Sequence, residues 1–426
     1  MAEKMPLLEI DPSIYPIWVG ANNGLFNTFF QLFFTYKPDY FKGSKVVGKP
    51  KDQYELVYDV DKCPVVTLGP VDAGIGPMTI SRHGFADAPA PNISLAFPHY
   101  SLDVYTWADG KRGNIVAKLA GSITIYGAIY MDDTHQTAFD FLGGGTGDQV
   151  VAEGQVNDSF NDYLVVAIGG LVEKIKLPEI DHILDTDLDA GVTYVAIGKG
   201  PDDTYWLNAY GDVHASHAAP TAGVVRGQGP ATGVIEGSVD QSVIQKLINK
   251  VVVGYSKSDS AGGSVGPFGA KVSASFKVTA LDIDLQDGKA SATVKVHANA
   301  KACIKVIAWA CASVSGDGKG SAKVSTELID NDKTLRIKIY DFSGIKISFD
   351  WPSFLKPILS WIDKMISAMI NAFLAALGLF VDMSKIYTFT LPDTIPGVEI
   401  PADLSFTKTG IKKGQIVAGV NVAPPK

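Results

Sequence analysis

Two exceptionally long period-two patterns constrain this chain more than any other feature of its sequence. From Ile115 to Met131, apolar or glycine residues fill every second position: Ile115, Ala117, Leu119, Gly121, Ile123, Ile125, Gly127, Ile129 and Met131. A second pattern begins at Ala290 and runs through Ala292, Val294, Val296, Ala298, Ala300, Ala302, Ile304, Val306, Ala308, Ala310 and Ala312 to Val314. Period two is the mark of a strand with one face buried. An ordinary strand is only about 5–6 residues long. Kept straight, runs of this length would exceed the diameter of a small domain, so the sheets must curve or carry bulges. Asp109-Gly110-Lys111 and Asp287-Gly288-Lys289 precede the two runs as hairpin turns.

After each long alternation the period changes to that of a helix. Val156, Phe160, Leu164, Ala167, Leu171 and Ile175 form one apolar stripe. Leu355, Ile358, Ile362, Met365, Met369, Phe373 and Leu377 form another, with Ser353 in the capping position and Gly378 as the terminator. Further strands are expected over 322–328 and 335–349, separated by Asp330-Asn331-Asp332-Lys333. The order of turn, long strand, amphipathic helix and Leu-Pro strand thus occurs twice. Leu177-Pro178 and Leu391-Pro392 stand 391 − 177 = 214 residues apart, about half of the 426-residue chain. The expected architecture is α+β and β-rich. It comprises two modules, 1–225 and 226–426, each a long, highly curved antiparallel sheet wrapped around a long amphipathic helix. A further helix is expected over 239–252, where Val243, Leu247 and Val251 share a face. Phe26, Phe29, Phe30 and Phe33 fall at helical spacing within 24–34, which reads as a short helix or strand pressed onto the main body, with an apolar plug or membrane-touching segment as the sharper alternative. The Ser/Gly/Asp-rich stretch 256–266 reads as a loop.

Charge and cysteine usage narrow the function classes. A net charge of −8 argues against a nucleic-acid partner, which needs a positive field, and weakens electrostatic docking on an anionic bilayer except through a local basic patch. Of the three cysteines, Cys303 and Cys311 lie within what reads as one continuous strand. Eight residues at about 3.3 Å each would hold them roughly 26 Å apart, too far for a bond. All three are therefore expected as free thiols of a protein made in a reducing compartment. Met1–Glu9 lacks the pattern of a Sec signal, so cytoplasmic synthesis is expected, with release by a non-Sec route as the alternative.

Short motifs point to no reaction. Gly262-Gly263-Ser264-Val265-Gly266 matches the spacing of a hydrolase nucleophile, but that chemistry needs a strand before the serine and a helix after it. Asp185-Thr186-Asp187-Leu188-Asp189-Ala190-Gly191 resembles a calcium loop with its glycine one position late and Ala196 where the bidentate glutamate belongs. His214-Ala215-Ser216-His217 lacks zinc-site spacing, and Gly227–Gly233 fits neither phosphate-loop pattern. No catalytic set, metal or cofactor is expected, and an enzyme is the least supported class.

Strands 115–131 and 290–314, the helix 353–378 and the tail Leu391-Pro392-Asp393-Thr394-Ile395-Pro396-Gly397-Val398-Glu399-Ile400-Pro401 together resemble the tubular lipid-binding (TULIP, BPI-like) superfamily. The likeness is nearest to its bacterial P47 and OrfX branch, whose members are encoded beside clostridial neurotoxins. That resemblance implies a bent sheet around a long helix, a seam that accepts lipid tails, and no catalytic residues. The expected function is non-catalytic binding of a lipid or other apolar molecule, as a toxin-associated protein. Leu355, Ile358, Ile362, Met365, Met369 and Phe373, with Phe160 and Leu164 of the first module, are the expected ligand contacts. Membrane insertion as a toxin or toxin accessory is the alternative, drawn from 25–34 and 353–381, with a membrane surface or toxin-complex proteins as partners. A ligand-free protein-binding scaffold is a third reading.

Overall fold

The computed structural model describes residues 16–71, 91–131, 137–146, 149–152, 191–200, 203–212, 233–265, 267–380, 388–390, 393–395, 400–412 and 414–425. The chain divides into two compact units: residues 1–237 with 391–408 and 418–426, and residues 238–390 with 409–417. The protein is β-rich with a curled sheet, as the alternations require.

The first unit opens with β1 (Ile17–Asn22) and α1 (Asn23–Tyr36). The Asn22 side chain accepts from the Gly24 amide at 2.8 Å, which starts the helix. Phe26, Phe29, Phe30 and Phe33 are all buried, as their spacing predicts. The Phe29 and Phe30 rings meet edge to face at 5.2 Å. Strands β2 (Lys42–Lys49), β3 (Asp52–Asp59), β4 (Val65–Leu68), β5 (Ile93–Ala108), β6 (Lys111–Met131), β7 (Thr137–Thr146) and β8 (Gln149–Ala152) then form one sheet. Its order is β2-β3-β5-β6-β7-β8, with β4 also on β5. A turn with positive φ at Asp109 (50°) and Gly110 (72°) joins β5 to β6. In β5 the buried positions are Ile93, Leu95 and Phe97, and then Tyr100, Leu102 and Val104. The register slips between Phe97 and Tyr100, so a bulge resets which parity faces inward and bends the strand.

Strands β9 (Gly191–Lys199), β10 (Tyr205–Asp212) and β11 (Ile235–Asp240) belong to a second sheet, completed by β20 (Asp403–Lys412) and β21 (Gln415–Ala423), while β18 (Thr394–Ile395) and β19 (Ile400–Pro401) pair with each other. Its order is β20-β21-β11-β1-β10-β9. Asn208, fully buried on β10, accepts from the Trp18 indole at 2.9 Å and donates to the Trp206 carbonyl at 2.7 Å.

In the second unit α2 (Gln241–Val252) follows β11 and is capped by Asp240, which accepts from the Ser242 amide at 2.8 Å. Among its described side chains, Val243, Ile244, Ile248 and Val252 are buried. The sheet runs β12 (Ser256–Val265), β13 (Phe268–Gln286), β14 (Lys289–Lys305), β15 (Trp309–Ile329), β16 (Thr334–Ile347) and β17 (Thr388–Thr390), all neighbours antiparallel. A 3₁₀ turn (Ser353–Ile358) leads into α3 (Leu359–Phe380). Pro352, not Ser353, holds the capping position of that turn, with no side-chain hydrogen bond there, and Gly378 lies inside the helix rather than ending it.

Three expectations are corrected here. The pattern 290–314 is two strands, not one. Lys305 faces Trp309 across the three-residue turn Val306–Ala308, so residues of equal parity stand opposite each other and the alternation passes through the turn unbroken. Cys303 and Cys311 are therefore directly opposed, 4.1 Å apart at Cα, and form a disulfide. The stretch 256–266 supplies the edge strand β12 over Ser256–Val265. Its polar composition reflects exposure at a sheet edge, where no alternation is needed. The disulfide closes a short loop, so removing it with reductant or by Cys303→Ser with Cys311→Ser should cost roughly 2 kcal/mol. Melting curves with and without reductant check this; coincident curves on protein with a verified reduced mass would show that the bond stabilises nothing.

Candidate ligand-binding seam

The inward face of the second unit's sheet is set by parity. Ala270, Val272, Ala274, Phe276 and Val278 of β13 are buried, as are Ala292, Val294, Val296, Ala298, Ala300, Ala302 and Ile304 of β14. Between Val278 and Ala280 the register slips, and Leu281, Ile283 and Leu285 take over the inward role.

Against this face lie the 3₁₀ turn Ser353–Ile358 and the apolar side of α3. Leu355, Ile358 and Ile362 have no exposure at all, and Met369 and Phe373 are buried in the same cluster. Met365 is half-buried at its margin. Six of the eight expected contacts are thus brought together; Phe160 and Leu164 lie outside the described residues. Ile366, Ile370 and Leu374 share the buried face although the sequence stripe omitted them. Phe373 is held by two aromatic partners from the sheet side, Tyr255 at 5.8 Å and Phe276 at 5.4 Å. Phe276 sits on the inward parity of β13 and could have been found from it; Tyr255 precedes β12 and gave no periodic signal.

The helix α2 plays a different part. Beyond Lys277, β13 has no pairing with β12. Instead, the Gln241, Gln245 and Asn249 side chains accept from the backbone amides of Leu285 (2.8 Å), Ile283 (2.6 Å) and Leu281 (3.1 Å). Gln245 also donates to the Leu281 carbonyl. Four helical residues rise about 6 Å and two strand residues about 6.6 Å, so a row of amides at i, i+4 and i+8 matches alternate strand groups. The first unit uses the same device, with Asn23 accepting from the Leu68 amide and Asn27 from the Val66 amide, both at 2.7 Å. The paired positions are equally spaced, 241 − 23 = 218 and 245 − 27 = 218.

Reactive chemistry has little foothold among these groups. Among the described residues no cluster of three or more His, Cys, Asp or Glu side chains could hold a metal ion. Burial pushes the Cys63 thiol up to about 11, so it stays protonated and weakly nucleophilic at neutral pH. Ser264 lies on the edge strand β12 opposite Gly269, without the strand–turn–helix setting of a nucleophile elbow. The calcium-like loop over 185–190, the histidines 214 and 217 and the glycine-rich stretch 227–232 lie outside the described residues.

No family model and no curated protein sequence matches this chain. Solved structures similar to it include the following two. P47 of Clostridium botulinum E1 is 9% identical, with 96% of this chain and 98% of that one covered, at a TM-score of 0.43. A lipopolysaccharide binding protein is 11% identical, with 97% and 99% covered, at a TM-score of 0.37. P47 is among the proteins that the sequence pattern resembles. At these identities no site residue is carried from either structure to this one.

Proposed function

We propose that the protein is a non-catalytic binder of a lipid or similarly apolar molecule, held along the seam between α3 and the curved sheet of the second unit. The carrying observation is the character of that seam. From Ile362 to Leu374, α3 lays an apolar face on strands whose inward residues are largely alanine and valine. Met365 stands at the half-exposed margin with Met369 buried one turn on, and unbranched thioether side chains can repack around an acyl chain. On this reading the chain is built of two such modules, 1–225 and 226–426, with Phe160 and Leu164 as the first module's contacts. A role beside a toxin complex belongs to the same proposal.

Native mass spectrometry of the purified protein, followed by organic extraction, tests it. A discrete added mass that extracts as lipid is the expected result. A clean apo mass that persists after incubation with mixed lipids would overturn the proposal in favour of a scaffold with a closed core.

One observation favours a second reading. Ser353–Ala375 is long and apolar enough to cross a membrane, with a mean hydropathy of 1.3. Insertion would require α3 to leave the sheet, and dye release from liposomes separates this behaviour from that of a carrier, which leaves vesicles intact.

A further inference from the structure

At one end of the second unit's sheet, two neighbouring hairpins finish side by side. The β12–β13 hairpin ends where Val265 faces Phe268, and the β14–β15 hairpin ends where Lys305 faces Trp309. Gly269 faces Lys305, which sets the two ends next to each other. The β14–β15 tip is unusually apolar for a surface turn: Ile307 is 93% exposed, Val306 67% and Trp309 42%. Three exposed lysines, Lys271, Lys301 and Lys305, stand on the terminal segments of these strands, and the nearest strand carboxylates are Asp259, facing Ala274, and Asp317, after Gly316. The segments 260–274 and 298–316 thus carry a local charge of +3 in a protein whose net charge is −8. Lys271 Nζ lies 4.8 Å from the centre of the Trp309 ring, and the ring lies beside Gly269. Cys303–Cys311 ties the two arms one pair below Ile304 and Ala310.

We propose that this end of the sheet docks on an anionic lipid bilayer, with Val306, Ile307 and Trp309 entering the interface and Lys271, Lys301 and Lys305 contacting lipid phosphates. Tryptophan and aliphatic side chains at a tip, flanked by lysine, match the layered chemistry of the membrane interface. Three basic residues complement a negative surface potential. A second protein copy fits less well, because a stable protein interface buries about 1,200 Å² or more, and a three-residue turn offers few side chains toward that area. The docking does not depend on the seam binding an apolar ligand, so either proposal can fail alone.

Co-sedimentation of the full chain with phosphatidylcholine vesicles, with and without phosphatidylglycerol, provides the test. The wild type should bind the phosphatidylglycerol vesicles, lose binding as salt rises, and bind phosphatidylcholine alone weakly. Ile307→Asp should lower affinity on the order of tenfold. Lys271→Gln, Lys301→Gln and Lys305→Gln together should lower it on the order of a hundredfold. Because these side chains are exposed, the variants should melt like the wild type. A blue shift of tryptophan emission on vesicle binding, reduced in Trp309→Phe, places the tip in the bilayer. Equal vesicle binding by Ile307→Asp and the wild type overturns the proposal, as does a wild type that binds no vesicles. A dimer that Ile307→Asp converts to monomer, without any vesicle binding, also overturns it and assigns the tip to self-association.

Discussion

Met369→Asp is expected to destabilise the second unit by about 3–5 kcal/mol, or to prevent its folding, because it places a carboxylate without a partner among Ile366, Ile370, Phe373 and the sheet face. Met369 is only 5% exposed, so the new group cannot reach water without displacing the helix. Burial would raise the introduced carboxyl's pKa above its unfolded value. The folded state would then bind the extra proton more readily, and the deficit should shrink as pH falls toward about 4, near the unperturbed carboxyl range. Met369→Leu, which keeps volume and polarity, should cost under about 1.5 kcal/mol. Chemical denaturation of the three proteins at neutral and acidic pH checks both claims. If Met369→Asp unfolds at the wild-type denaturant concentration, the helix face has been assigned to the wrong side.

The same face shows what a sequence of this kind discloses. Phenylalanines at helical spacing in 24–34 and the stripe from Leu355 to Phe373 are both strong enough to read, because burial of large side chains leaves a periodic record. The long strands are readable for the same reason. The turn at Val306–Ala308 is not: its three residues preserve parity, and apolar residues at the exposed tip mimic the buried pattern on either side. A reader of the alternation alone therefore extends one strand through the turn and separates two cysteines that the hairpin brings together. Bulges defeat the reading in the opposite way. At Phe97–Tyr100 and Val278–Ala280 the inward parity changes while the strand continues. Edge strand β12 leaves no apolar record, since all its residues are exposed or half-exposed and its ladder is made by backbone groups. For the seam, six expected contacts can be placed on one surface and the cross-sheet partners Tyr255 and Phe276 can be added; the partners depend on tertiary pairing that periodicity does not encode.

Gln245→Ala should cost roughly 2–4 kcal/mol, far more than an ordinary glutamine on a helix, since it strips partners from two backbone groups at once, each worth about 1–3 kcal/mol when orphaned. The amide of Ile283 loses its acceptor at 2.6 Å and the carbonyl of Leu281 loses a donor. Ile283 and Leu281 are buried, and Gln245 is half-buried against their backbone edge. The physical argument is that a helix is standing in for a strand. Residues at i, i+4 and i+8 advance at nearly the pitch of alternate strand residues, so Gln241, Gln245 and Asn249 can extend along β13 the ladder that ends where Ser256 faces Lys277. Gln245→Glu separates the two bonds: a carboxylate still accepts from the Ile283 amide but has no hydrogen to give the Leu281 carbonyl, so its cost should be of the same order, and smaller when the acid is protonated at low pH. Asn27→Ala in the first unit makes the parallel comparison, because Asn27 both accepts from the Val66 amide at 2.7 Å and donates to its carbonyl at 3.2 Å. Amide exchange at Ile283 and at Val66 is the decisive readout. Faster exchange confined to β13 in Gln245→Ala and to β4 in Asn27→Ala would establish that each helix seals one sheet edge through its amide side chains. Unchanged exchange at both sites would mean that the apolar faces of α1 and α2 hold the helices in place and that the amides add nothing.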